Sequence, residues 1–183
     1  MDAQKVKLFM QLGGQEVKSK LSEGSELTRK LGAQLLLSEL LEYIIKGLGV
    51  TPVINGVAVT DPENVTYNVT QAPDKIEMID GLSDVAYTMY WNANAFGIPL
   101  EEAYDLVCDN NLEKFVKIED SGFSPGILSK DRWHCGEQIE WPKDVVSVEI
   151  VDVDNQLFAV GKDARNKIRK PSSYKSVDLS CFV

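Results

Sequence analysis

At 183 residues with 44% hydrophobic content, the chain is long enough to bury one sizeable core and too short for two ordinary domains. That content excludes a disordered tail, and no apolar run approaches the ~18 residues of a membrane span. The formal net charge of −9 argues against nucleic acid as a partner, because backbone binding needs clustered Lys and Arg.

The first residues, MDAQKVKLFMQLGGQEV, show no long apolar stretch and no small-residue cleavage site, so a cytoplasmic location is expected. Val6 to Gln15 predicts a short helix broken near Gly13-Gly14, followed by a polar connection from Lys18 to Ser25. Leu27 to Leu48 predicts the first strong helix, with Leu31, Leu35, Leu36, Leu40, Tyr43 and Ile44 recurring at three- and four-residue spacing. Thr51 to Thr70 is rich in Val, Thr, Asn and Pro and reads as an irregular excursion with a short hairpin at Asn55-Gly56. Pro73 and Asp74 open a second strong helix, Lys75 to Phe96. Gly97 stops it, and Pro99 opens a third helix running to about Phe115.

Beyond Lys117 the character changes. Asp120 to Trp141 is a mixed loop, and Val145 to Val160 alternates like a β-hairpin around Asp154-Asn155. The segment from Gly161 is basic. The expected organisation is a helical core over residues 1–117, with 118–183 adding a loop, a hairpin and a basic segment to the same domain. The fold class expected is mainly α. Cys108, Cys135 and Cys181 are odd in number and show no CxxC pattern, so neither a zinc site nor a disulfide framework is indicated. His134, the only histidine, has too few companions for a metal or nucleophilic site and reads as a structural or surface residue.

The chemistry-bearing pattern is carboxylate. Glu39 and Glu42 sit three apart in LLLSELLEYII; Glu77, Asp80 and Asp84 fall at i, i+3 and i+7 in KIEMIDGLSDVAY. Such spacings place each set on one helical face. Antiparallel packing of the two helices would converge four or five acids, and a hard divalent cation resolves the repulsion. The competing reading is a solvated acidic face. Lys162, Arg165, Lys167, Arg169 and Lys170 are the one basic concentration, either a solvated tail or a source of phosphate contacts.

In these motifs the chain resembles the all-α nucleotide pyrophosphohydrolases, which include the MazG, dUTPase-like and phosphoribosyl-ATP pyrophosphohydrolase groups. The carrying residues are Glu39-Leu-Leu-Glu42, then Glu77-Met-Ile-Asp80-Gly81-Leu82-Ser83-Asp84 followed by Val-Ala-Tyr87. Gly97-Ile98 through Asn111-Leu-Glu-Lys114, and Gly161-Lys162 with Lys167-Ile-Arg-Lys170-Pro171-Ser-Ser-Tyr174, are similar to a phage and bacterial MazG-like subgroup. Aligned on Asp84 and Tyr87, the usual first acid of the second motif falls at Gly81, so Asp80 or Glu77 takes its place. Residues 116–160 have no counterpart in the resemblance.

The resemblance implies an all-α helical bundle with a small β-hairpin extension. It implies cleavage of a nucleoside triphosphate to monophosphate and pyrophosphate in a homodimer or homotetramer, in the cytoplasm (of a host, if phage-encoded). Mg²⁺, or Mn²⁺ in its stead, would be held by Glu39, Glu42, Asp80 and Asp84. Glu39 and Glu77 would serve catalysis, and Asn111, Lys114, Lys167, Lys170 and Tyr174 would contact substrate. Two rivals accompany this expectation: a non-catalytic nucleotide sensor on the same fold, and a partner-binding protein using the hairpin as a sheet edge.

Overall fold

A computed structural model of the chain describes residues 3–61, 65–119, 122–135 and 138–183. Parts of the expected excursion (62–64) and of the expected loop (120, 121, 136 and 137) therefore lie outside the described residues. In chain order the elements are α1 (Ala3–Leu12), α2 (Glu26–Glu42) continuing into a π-helical turn (Tyr43–Gly47), β1 (Val53–Ile54), β2 (Val57–Ala58), α3 (Lys75–Phe96), α4 (Leu100–Leu112), β3 (Val116–Ile118), β4 (Gly126–Ile127), β5 (Val145–Val153) and β6 (Gln156–Asp163). They belong to two compact units. One comprises Met1–Ser19 with Tyr87–Val183, the other Lys20–Ala86.

The larger unit is organised by the β5–β6 hairpin. Asp154 and Asn155 have φ of 54° and 63°, the left-handed pair that a two-residue type I′ turn requires. Pairing runs from Val153↔Gln156 to Val148↔Gly161, with a bulge between Val145 and Ser147. β3 lies outside β6 and β4 outside β5, so the antiparallel order is β3-β6-β5-β4.

Side chains alternate across a strand with period two, and here both resulting faces are covered. Val148 and Ile150 of β5 and Ala159 of β6 face a cluster with Val116, Ile118, Phe123, Cys135 and Ile139. Val160, with Val151, Val153 and Phe158, faces Leu12 and Phe115, to which α1 adds Leu8 and Phe9 and α4 adds Leu112. Phe9 and Phe115 meet edge to face at 5.1 Å. Lys5 of α1 bridges Asp105 and Asp109 of α4 at 2.6 and 2.7 Å, an exposed contact of modest worth.

Two close fits finish β6. A Cβ built on Gly161 would stand 2.3 Å from the Trp141 ring, so the ring lies directly on the backbone. Asp163 is buried, and its carboxylate accepts the backbone N–H of Arg165 and of Lys167 at 2.8 and 2.9 Å. The bond from Lys167 holds this carboxyl below the usual aspartate range against the opposing effect of burial. The bond from Arg165 and the charges of Arg165 and Arg169 add to it.

The smaller unit has a different character. Ser25 caps α2, accepting from the Thr28 N–H at 3.0 Å. The short hairpin expected at Asn55-Gly56 is present, with φ of 50° and 78° and Ile54 paired to Val57. Yet Leu41 is the only buried residue among those described in this unit. Leu27, Leu31, Leu35, Leu36 and Leu40 of α2, and Ile76, Ile79 and Leu82 of α3, are all exposed.

The expectation of a mainly α, all-helical bundle is thereby overturned. Helix accounts for 42% and strand for 16%, in a two-stranded and a four-stranded sheet, which is an α/β mixture. The reason is the location of buried apolar area. Both buried clusters are built on β5 and β6, and neither contains a residue of α2 or α3. Among the described residues no helix is long and apolar enough to cross a membrane.

Three substitutions test this account. Leu12→Ala, at 1% exposure, should cost about 2–5 kcal/mol in urea unfolding, whereas exposed Ile127→Ala should stay within about 0.5 kcal/mol. Gly161→Ala should cost about 1–3 kcal/mol through overpacking against Trp141. Asp163→Ala should be less stable than the wild type at neutral pH. Because the folded carboxyl titrates below the unfolded one, its stabilisation is complete above the ordinary aspartate pKa of about 3.9. The gap between the two proteins should therefore close as pH falls below about 4 through the lowered folded value; a constant gap from pH 7 to pH 3 would contradict the role given to the charge.

Candidate functional site

The five acids singled out by spacing all lie in the smaller unit, Lys20–Ala86. α2 carries Glu39 and Glu42 in its last turn, where the helix widens. The Leu48 N–H reaches back five residues to the Tyr43 carbonyl at 2.9 Å, the wider π bonding often met at functional sites. Glu42 is ion-paired with Lys46 at 2.8 Å, one helical turn on. The hydrogen bond to Glu42 chiefly raises the Lys46 pKa, helped by the charges of Glu42 and Glu39.

α3 begins where Asp74 accepts the N–H groups of Ile76 and Glu77 at 2.8 and 3.3 Å, an N-terminal cap of the expected kind. Glu77 then falls in the first turn, where a negative charge suits the helix dipole. Asp80 and Asp84 follow on the same face. Glu39, Glu42, Glu77, Asp80 and Asp84 are all exposed. Among the described residues no group of three or more His, Cys, Asp or Glu side chains is gathered closely enough to hold a metal ion. The donor chemistry fits a hard cation, but the described residues of one chain do not gather the donors.

The residues expected at the phosphates lie in the larger unit. At the C-terminal end of α4, Lys114 donates to the Asn111 side-chain oxygen at 2.6 Å and stands 5.6 Å from the Phe9 ring centre. The Lys170 ammonium sits 4.6 Å from the Tyr174 ring centre. The Tyr174 hydroxyl donates to the Asn110 oxygen at 2.5 Å, and the Asn110 amide donates to the Lys175 carbonyl, also at 2.5 Å. Arg169 pairs with Asp144 at 2.7 Å, and Ser172 exchanges hydrogen bonds with the Glu140 backbone. The basic segment is thus tied down along its length. Tyr174 anchors it, while Lys167 remains exposed.

Asn110 was missed by sequence reading, although a signal existed. It lies seven residues after Ala103 and three after Val107, on the inward stripe of α4, and a buried amide there needs partners. His134 is exposed. Its neighbour Cys135 is 3% exposed, and burial pushes the thiol pKa up to about 11, so it is not a thiolate at neutral pH. Cys108 and Cys181 are also free thiols. The hairpin proposed as a sheet edge lies inside the sheet, whose outermost strands are β3 and β4.

Comparison of the chain with family models, with curated proteins and with solved structures finds no match in any of the three.

Proposed function

We propose that the protein is a cytoplasmic nucleotide pyrophosphohydrolase that works as a homo-oligomer and needs Mg²⁺, converting a nucleoside triphosphate and water to the monophosphate and pyrophosphate. One observation carries the reading. Within a single unit two capped helices present acids at one-turn spacing, beside apolar side chains left exposed among the described residues. A second copy laid on those faces would supply the missing core and bring a second set of carboxylates. Self-association and site assembly then become one event.

Glu39, Glu42 and Asp84, with Asp80 or Glu77, are the oxygen donors in this reading. When bound, the cation supplies charge neutralisation on the triphosphate and an acidified water. A spare carboxylate, for which Glu77 is the candidate, accepts the proton of the attacking water. Lys167 and Lys170 supply positive charge toward the phosphates, and Asn111 and Lys114 polar contacts at the end of α4. The pairing of Glu42 with Lys46 favours a second reading, a nucleotide sensor that binds without turnover. Product analysis separates the two.

A panel of ribo- and deoxyribonucleoside triphosphates with Mg²⁺ should yield pyrophosphate from at least one member. Glu39→Gln, Glu42→Gln and Asp84→Asn should each lower the rate by about 10–100-fold or more, and Asp80→Asn should cost more than Glu77→Gln. Near-wild-type hydrolysis by both Glu39→Gln and Asp84→Asn would defeat the reading. At micromolar concentration the wild type should sediment as a dimer or larger, and Leu31→Glu with Leu35→Glu should shift it toward monomer. A monomeric wild type would remove the basis for a shared site.

A further inference from the structure

A second feature of the smaller unit does not involve the carboxylates. The extended segment 66–73 runs beside the N-terminal half of α2, and the two enclose an open cleft of about 390 Å³. Arg29 and Lys30 line it from the helix; Thr66, Tyr67, Asn68 and Gln71 are among the residues that line it from the segment. The volume falls in the range of small-ligand sites, about 300–1,000 Å³.

The lining has one sign of charge. Two cations and no carboxylate border the cleft, in a chain with 28 acidic and 19 basic residues. Lys30 is bridged to Glu26 at 2.7 Å. Arg29 donates one bond to the Gly24 carbonyl at 3.2 Å and has no carboxylate partner among the described residues, which leaves most of its five-donor fork for a ligand. Two adjacent cations this near a helix N-terminus oppose the helix dipole; the one-turn pair with Glu26 accounts for Lys30, and Arg29 has no such compensation. The Tyr67 hydroxyl is shut off from water and has no hydrogen-bond partner among the described residues. An unpaired buried hydroxyl is costly, so this wall of the cleft is left with an unmet polar demand.

We propose that this cleft binds the phosphate group of a small phosphorylated molecule. The Arg29 guanidinium holds the phosphate in bidentate fashion. Lys30 adds charge, and the side chains of Thr66, Asn68 and Gln71 supply neutral hydrogen bonds to the remainder. The proposal rests on the cleft and its lining, and stands or falls apart from the pyrophosphohydrolase reading.

Calorimetric titration of the full chain carrying Glu39→Gln, in EDTA, removes metal-dependent binding at the acids. The probes are inorganic phosphate, ribose 5-phosphate and adenosine monophosphate, which separate a site for free phosphate from one for an ester and show whether a base adds affinity. At least one should bind with a millimolar or tighter Kd. Arg29→Gln should weaken it tenfold or more, Arg29→Lys by less, and Lys117→Gln not at all. Asn68→Ala, away from the helix, should weaken ester binding and serves as the second variant if Arg29→Gln disturbs folding by circular dichroism. No binding by any probe at 10 mM, roughly the weak limit of such sites, would overturn the proposal. So would affinity indifferent to both Arg29→Gln and Asn68→Ala, or affinity lost with Lys170→Gln and kept with Arg29→Gln.

Discussion

Everything ordered in the larger unit depends on the two-residue alternation of one hairpin. Because β5 and β6 point successive side chains to opposite sides, they need apolar cover on both, and residues earlier in the chain supply it. α1 and α4 furnish one face, and Phe123, Cys135 and Ile139, with Val116 and Ile118 of β3, cover the other. The tight left-handed turn at Asp154-Asn155 fixes the register, and a one-residue slip would send each set to the wrong side. Gly161 opposite Val148 leaves the space into which Trp141 is laid. Trp141 in turn donates to the Trp133 carbonyl at 2.9 Å, and Trp133 to that of Leu128 at 3.3 Å, so the covering segment is pinned through a chain of indole hydrogen bonds.

The smaller unit is under the opposite condition. It has well-formed helices and almost nothing beneath them. A helix gains most of its stability from packing its apolar side chains, and among the described residues Leu27, Leu31, Leu35, Leu36 and Leu40 of α2 stay exposed. In the function proposed above, this exposed apolar area is taken as an interaction surface. The acids share the helices with that area, which is why assembly and chemistry are joined in the reading given above.

Element positions were largely legible in the sequence. The second strong helix was expected at Lys75 to Phe96 and occupies those residues. The hairpins at Asn55-Gly56 and Asp154-Asn155 follow from residues that tolerate positive φ. What periodicity could not convey is which apolar face finds cover. Leu31, Leu35 and Leu36 have the spacing of a core stripe and were read as one, whereas the alternating residues near the C-terminus were read as an appendage and are the core. The same limit applies to the site. One-turn spacing fixes that Glu39 and Glu42 share a face, but convergence with Glu77, Asp80 and Asp84 is a long-range property that no local pattern encodes. The cleft at Arg29 is also non-local, joining a helix to a segment some forty residues later that has no periodicity at all.

The smaller unit interrupts the larger one between Ser19 and Tyr87. During synthesis α1 emerges first, yet Leu12 must wait for Val160, roughly 150 residues later, before it can be buried. At the usual elongation rates of about 5–20 residues per second, that interval is on the order of 10 s. The leucine-rich α2, most of whose leucines are exposed among the described residues, emerges in the meantime. On the ribosome, then, the leucines of α2 are made long before the strands on which both buried clusters are built.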